Sequence, residues 1–409
     1  MKKLILFTSL AVTLALGLVH APALRANESD YSPLVWDEDE AKEMRSVLRP
    51  YLEPAHIPSP EYLASCKGEN ALYSGNETPE QLKAMSAKYQ ATYDKIVAAL
   101  PEKLSVPVTQ KRKILVLAYR TGLWYHGPGA AGYLILLREA AKKYGAFELT
   151  EVYKPDGIDA KMLAGFDVVV LDSIHPWRQG KYGPQFGLVA KHPELQAETS
   201  KRRGEELAVA SSLYNELLPA YVKNGGSLIT IHATLLTPGM MTGMESEFAS
   251  LLGGAVDDHV HPWKDGKLAG PGSYSPIPIK ILEPNNPLTF AFRDAPDAKM
   301  STELYSIWLP KTSMDSSRTL IQYDNDKRPD VTFSPKSMER CKEFASSIIW
   351  IKNCGKGRVY TTTMGHDEEI FGVPCVARAM LDGLQYAAGD LKVPDAPATA
   401  TAATAPAGQ

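Results

Sequence analysis

The stretch Gly225-Gly226-Ser227-Leu228-Ile229-Thr230-Ile231-His232-Ala233 leaves this chain few folds to choose from. A glycine pair feeding an unbroken aliphatic and β-branched run reads as a strand buried on both faces, which requires a parallel sheet covered by helices. In such a sheet the carboxyl ends of the strands open into the ligand crevice. His232 closes the run, so an imidazole is expected at the mouth of that crevice.

The neighbouring sequence supplies the rest of such a sheet. An apolar strand over 114–118 is followed by a Gly-rich loop, 122–129, and a helix through Tyr144; then come a strand over 147–153, a short helix over 158–163 and a strand over 166–172. Strands alternating with helices build right-handed βαβ units. The expected fold is therefore α/β, a doubly wound, mostly parallel sheet of flavodoxin-like type. After Gly253-Gly254 the pattern turns β-rich, with strands expected over 277–282, 303–308, 320–323, 347–351 and 359–363, and a helix over 376–387 closes the domain. This domain spans 109–390. Residues 27–108 form an N-terminal helical extension, in which Thr78-Pro79-Glu80 starts a helix and Leu82, Met85, Tyr89, Tyr93, Ile96 and Leu100 mark its buried face. Residues 391–409 are rich in Ala, Thr and Pro and are expected to be disordered.

The first 26 residues run basic, apolar, then small, the order of a secretory signal, so a periplasmic or secreted bacterial location is expected, with no stable membrane insertion after cleavage. Removing them takes away Lys2, Lys3 and Arg25 but no acid, which moves the formal net charge from −3 to −6. An acidic chain of this kind argues against a nucleic-acid partner. The four cysteines, Cys66, Cys341, Cys354 and Cys375, contain no Cys-x-x-Cys spacing, so a thiolate zinc site is not expected. In an oxidising compartment Cys341 with Cys354 is the most local pairing.

The Gly-rich loop has neither the G-x-G-x-x-G order nor a Gly-Lys-Ser/Thr, which excludes a phosphate cradle. It does bring Trp124, Tyr125 and His126 to the sheet mouth, an aromatic pair beside a titratable group that suits a sugar ring. Asp172 ends another strand, and the insertion 174–204 that follows carries Trp177 and has the length of a lid. Trp177 and Trp263 offer further stacking faces. His366, after the last strand, follows Gly365 in a sharp turn, and Asp367 and Glu368 beyond it fit helix caps better than catalysts.

Class I glutamine amidotransferase-like domains carry a nucleophilic cysteine on the turn that His232 occupies here, so amidotransferase chemistry is excluded. The closer resemblance, over roughly 112–389, is to the ThuA-like, trehalose-utilisation family. It is carried by 113–117 with His126 downstream, Phe166-Asp167-Val168-Val169-Val170, Tyr221 to Gly226, Ile231-His232-Ala233, His261-Pro262, Thr302-Glu303-Leu304-Tyr305, Gly357-Arg358-Val359-Tyr360 and Gly365-His366. The family's Asp-Glu-Trp-Tyr is Thr302-Glu303-Leu304-Tyr305 here, and an extra His259 beside His261 leaves that part of the match ambiguous. The resemblance implies a carbohydrate context, with a disaccharide, glycoside or keto-sugar as partner molecule. On this reading His126, His232, Glu303 and His366 are the catalytic candidates. Trp124, Tyr125, Asp172, Trp177, Trp263 and Tyr305 are the substrate-binding candidates. His261, Glu303 and His366, with His259 as an extra candidate, have the donor types of a zinc, manganese or nickel site. A metal-free acid/base site on a polyol is the competing account. Hydrolysis, elimination and isomerisation all stay open, though no paired carboxylates of glycosidase type are readable. The other class of function compatible with the sequence is a non-catalytic sugar-binding or scaffolding protein, and a homo-oligomer fits either.

Overall fold

A computed structural model of the chain describes residues 90–117, 127–152, 157–174, 211–264, 267–268, 273–274, 276–314, 316–327 and 329–394. The expected signal segment, most of the N-terminal extension, the 174–204 insertion beyond Ile174 and the tail from 395 lie outside the described residues. No described helix is long and apolar enough to cross a membrane.

Eight strands make the central sheet: β1 (Arg112–Leu117), β2 (Phe147–Val152), β3 (Val168–Asp172), β4 (Ser227–Ile231), β5 (Ile279–Ile281), β6 (Ser317–Tyr323), β7 (Ser347–Cys354) and β8 (Gly357–Thr362). Their order is β2-β1-β3-β4-β8-β7-β6-β5. The first five of these run parallel. The last three are added antiparallel. A doubly wound, mostly parallel sheet with extra strands is thus what the alternation in the sequence builds.

Register explains why the strands are apolar on both sides. Leu115, Val169, Leu228 and Val359 lie in one row across β1, β3, β4 and β8, while Val116, Val170, Ile229 and Tyr360 form the next. Successive side chains point to opposite faces, so the two rows feed two separate cores. The first row packs with Leu218 and Val222 of α2 (Leu218–Lys223) and Phe248 and Leu252 of α3 (Glu247–Leu252). The second packs with Leu136 and Leu137 of α1 (Gly127–Tyr144) and Met380 and Leu384 of α4 (Pro374–Ala387). At roughly 1.5–3 kcal/mol for each fully buried aliphatic side chain, these rows supply much of the drive for folding.

Two expectations change. The sequence predicts one helix over 205–224 before β4, and its described part contains a π-helical turn, Leu213–Leu217, ahead of α2. Pro219 has no N–H and crowds the preceding turn, which accounts for the widened ladder just upstream. Cys341 and Cys354 do not pair but are free thiols, as is Cys375. Cys341 ends a helix and its Sγ accepts a hydrogen bond from the Leu309 backbone N–H at 3.2 Å, while Cys354 ends β7. Each thiol is held by its own element, and burial pushes both up in pKa.

Candidate functional site

His232 follows β4 directly, at φ +41°, and opens a 3-10 turn, His232–Leu236. A non-glycine residue at positive φ is strained, and such strain concentrates where the surrounding structure needs a side chain aimed in one direction. Ser173, after β3, is strained in the same way at φ +49°. Because Asp172 pairs with Ile231, the two strained residues follow adjacent strands at the same edge of the sheet.

The His232 ring is fully buried and held at both nitrogens. Nδ1 lies 2.6 Å from the Thr363 carbonyl oxygen, which can only accept, so Nδ1 carries the hydrogen. The neutral ring then presents a lone pair at Nε2, where the Tyr305 hydroxyl donates a hydrogen bond at 2.8 Å. The two rings also stack, with centroids 4.6 Å apart. Burial lowers the His232 pKa despite the pull of Glu303, so the neutral form is the resident one.

Glu303 lies on a short strand, Thr302–Glu303, and is 6% exposed. Its Oε2 is 3.5 Å from His232 Nε2 and 3.9 Å from His366 Nε2, and its Oε1 is 3.8 Å from His259 Nε2. One carboxylate is therefore surrounded by three imidazoles from three separate segments. The strand Tyr305–Trp308 pairs antiparallel with Ala255–His259, and Tyr305 faces His259, which settles how His259 reaches the cluster. The Gly365 N–H donates to Thr302 Oγ1 at 3.4 Å and ties the His366 loop to the Glu303 strand.

His366 is anchored at Nδ1 by Asp367 Oδ1, 3.0 Å away. Burial is the largest influence on its pKa and pushes it down, but the Asp367 hydrogen bond and the charges of Glu303 and Asp367 together outweigh burial and raise it. Asp367 does stand before a helical turn, Glu368–Gly372, yet its side chain makes no capping bond there. The cap expected from sequence is instead the group that orients His366, a neighbour one residue away being the nearer donor.

Two glycines in the opening turns of α1, Gly129 and Gly132, have a mechanical role. A Cβ on Gly129 would lie 1.7 Å from the Gly365 oxygen, and one on Gly132 would lie 2.8 Å from Glu368 Cα. Gly365 itself has φ +125°. Helix α1 can thus sit directly on the His366 loop because it carries no side chain at positions 129 and 132.

Of the other candidates, Asp172 is fully buried at the end of β3, where its charge adds to the burial that raises the Tyr133 pKa. Trp124, Tyr125, His126 and Trp177 lie outside the described residues. His261 and Trp263 belong to a strand, His261–Lys264, that pairs with Val331–Thr332, and their side chains lie outside the description. Among the described residues no group of three His, Cys, Asp or Glu side chains is placed to hold a metal ion. A cavity of about 500 Å³ lined by Arg112, Asp167, Tyr221 and Arg358 lies at the amino edge of the parallel strands, the opposite edge from the histidines.

Sequence reasoning missed Thr363, whose contribution is a backbone carbonyl, and Ser173, whose backbone strain depends on tertiary context. The Asp367 role was within reach, since an acid next to a histidine is a ready partner for its ring.

None of the curated proteins matches the chain. Among solved structures, a ThuA-like protein from Bacteroides uniformis is 15% identical, covering 69% of this chain and 93% of its own, at a TM-score of 0.42. A ThuA-like protein from Parabacteroides merdae is 16% identical, covering 70% and 94%, at 0.38. A β-galactosidase from Rahnella sp. R3 is 13% identical, covering 77% of this chain and 36% of its own, at 0.34. The trehalose-utilisation family model, ThuA, matches residues 113–387, which takes in every strand of the sheet but the first residue of β1 and all four imidazole and carboxylate positions of the cluster. The chain belongs to the ThuA, trehalose-utilisation, family.

Proposed function

We propose that this protein is an exported enzyme acting on a disaccharide, a glycoside or a keto-sugar derived from one, by proton transfer at the Glu303 cluster. The observation that carries the reading is the convergence of His232, His259 and His366 on one buried carboxylate at the carboxyl edge of the sheet. His232 is suited to accept a proton: its Nδ1–H is fixed by Thr363, and its Nε2 lone pair reaches the site through the Tyr305 hydroxyl. Glu303, 3.5 Å away, stabilises the imidazolium that forms. A positioned acid/base group of this kind contributes typically 10²–10⁴-fold to rate. The family supplies the carbohydrate context, and the side chains supply the chemistry.

Export belongs to the same proposal, and cleavage near residue 26 would appear in the intact mass of protein recovered from the periplasm or medium. The activity is tested by incubating the purified protein with trehalose, other disaccharides, aryl glycosides and oxidised disaccharides and following each by proton NMR. The expected result is consumption of one class, reduced at least about 100-fold in Glu303→Gln. Sugar binding with no turnover, and affinity indifferent to Glu303→Gln and His232→Asn, would replace the enzyme with a sugar-binding or scaffolding protein.

A further inference from the structure

At the amino edge of the sheet, opposite the Glu303 cluster, β1, β3, β4 and β8 begin around the cavity of about 500 Å³. That is the size of a small-ligand site. Its lining is apolar along Phe166, Leu217, Ala160 and Ala164 and polar at Arg112, Asp167, Ser227 and Arg358.

The charges there are unequally matched. Arg112 donates to Asp390 from Nη2 and, at 3.2 Å, from Nε, and its Nη1 stands 3.5 Å from Asp167. Asp167 also accepts the Lys113 backbone N–H at 2.8 Å, so both carboxylates are already engaged. Arg358 has no such partner. Among the described residues, Arg112, Arg138, Arg293, Arg318, Arg340 and Arg378 each form an ion pair with a carboxylate, and Arg358 alone does not. Its backbone N–H is used, on Ser227 Oγ at 3.3 Å, but its side chain is not. The guanidinium lies against the Gly389 backbone, where a Cβ would stand 2.7 Å from Nη2, and this keeps it beside Ala388 at the cavity lining. The carboxyl ends of α2 and α4 favour a cation at this edge, yet no described group accepts a hydrogen bond from the Arg358 guanidinium. A half-buried guanidinium thus keeps its whole fork of donors, the shape that matches a carboxylate.

We propose that this cavity is a second binding site, for a small monocarboxylate whose anionic head pairs with Arg358 and whose apolar body lies along Phe166 and Leu217. One free guanidinium near two engaged carboxylates suits a single negative charge better than a phosphate dianion. The apolar lining adds affinity in proportion to the body it covers, so acetate is too small to gain from it.

The full chain is titrated calorimetrically with benzoate and hexanoate, and in parallel with acetate, inorganic phosphate and benzyl alcohol. The expected result is one equivalent of benzoate or hexanoate bound saturably, with each of the other three at least about tenfold weaker. Arg358→Gln should weaken that binding at least about tenfold, because it removes a hydrogen-bonded charge partner. Ala164 is exposed and right-handed, at φ −62°, so Ala164→Phe fills the cavity while leaving Arg358 in place. It should weaken binding by a similar factor, about tenfold, and it keeps the test decisive if Arg358→Gln fails to fold. His232→Asn, at the other edge, should bind as the parent does. Circular dichroism and urea midpoints check each variant. No saturable binding of either carboxylate, binding unchanged in a folded Arg358→Gln or Ala164→Phe, or phosphate or benzyl alcohol bound as tightly overturns the site.

Discussion

His232→Asn should leave the protein folded and lower turnover of its carbohydrate at least about 100-fold. Asparagine is one of the few side chains that accepts positive φ with little strain, so the turn after β4 survives the change. What it cannot do is span the distance between the Thr363 carbonyl and the Tyr305 hydroxyl, which the imidazole bridges with its two nitrogens. The lost hydrogen bonds and ring stacking should cost about 1–3 kcal/mol of stability, a loss that a well-packed domain of this size tolerates. Steady-state kinetics together with urea denaturation separate the two effects. A fall in turnover of less than about tenfold would mean that His232 is a core histidine and no part of the chemistry.

Asp382→Asn should make the protein more stable at pH 8, by up to about 3 kcal/mol, and leave it nearly unchanged at pH 4. Asp382 lies on α4 and is 1% exposed. Burial pushes its pKa from 3.8 to about 6, against the opposing effects of a hydrogen bond from Ser105 and of Arg378, whose Nε is 3.7 Å away. A folded-state pKa above the unfolded one means that the fold prefers the protonated carboxyl. That preference is fully present below about pH 4 and is lost as pH rises through about 6, where ionisation sets a charge inside the core. Asparagine carries no such charge. Urea unfolding of both proteins at pH 4.5 and pH 8 measures the difference directly, and an identical pH dependence in the two would show that Asp382 is ionised in the fold without penalty.

The sheet was legible because its strands are apolar on both faces, so Leu115 and Val116, Val169 and Val170, Leu228 and Ile229 needed no partner to be recognised. The added antiparallel strands were legible by type, though their order β7-β6-β5 was not, because it is set by pairing between distant segments. His232, Glu303 and His366 were legible as strand-end residues, and they do meet. That His259 joins them was not, since it depends on a register in which Tyr305 faces His259. One residue of slip would have turned every side chain of that strand to its other face. The Gly-rich stretch was read for its aromatic and histidine side chains, and the close approach of Gly129 to the Gly365 carbonyl is a property of the packed molecule.

The most direct test of the account is a double-mutant cycle on folding stability between His232→Asn and Glu303→Gln, measured by urea denaturation and independent of any substrate. If both side chains share one buried centre, the double variant should differ from the sum of the singles by at least about 0.5 kcal/mol. Effects that add to within about 0.3 kcal/mol would mean that the two groups do not act on each other, and the single centre on which the proposed chemistry depends would be contradicted.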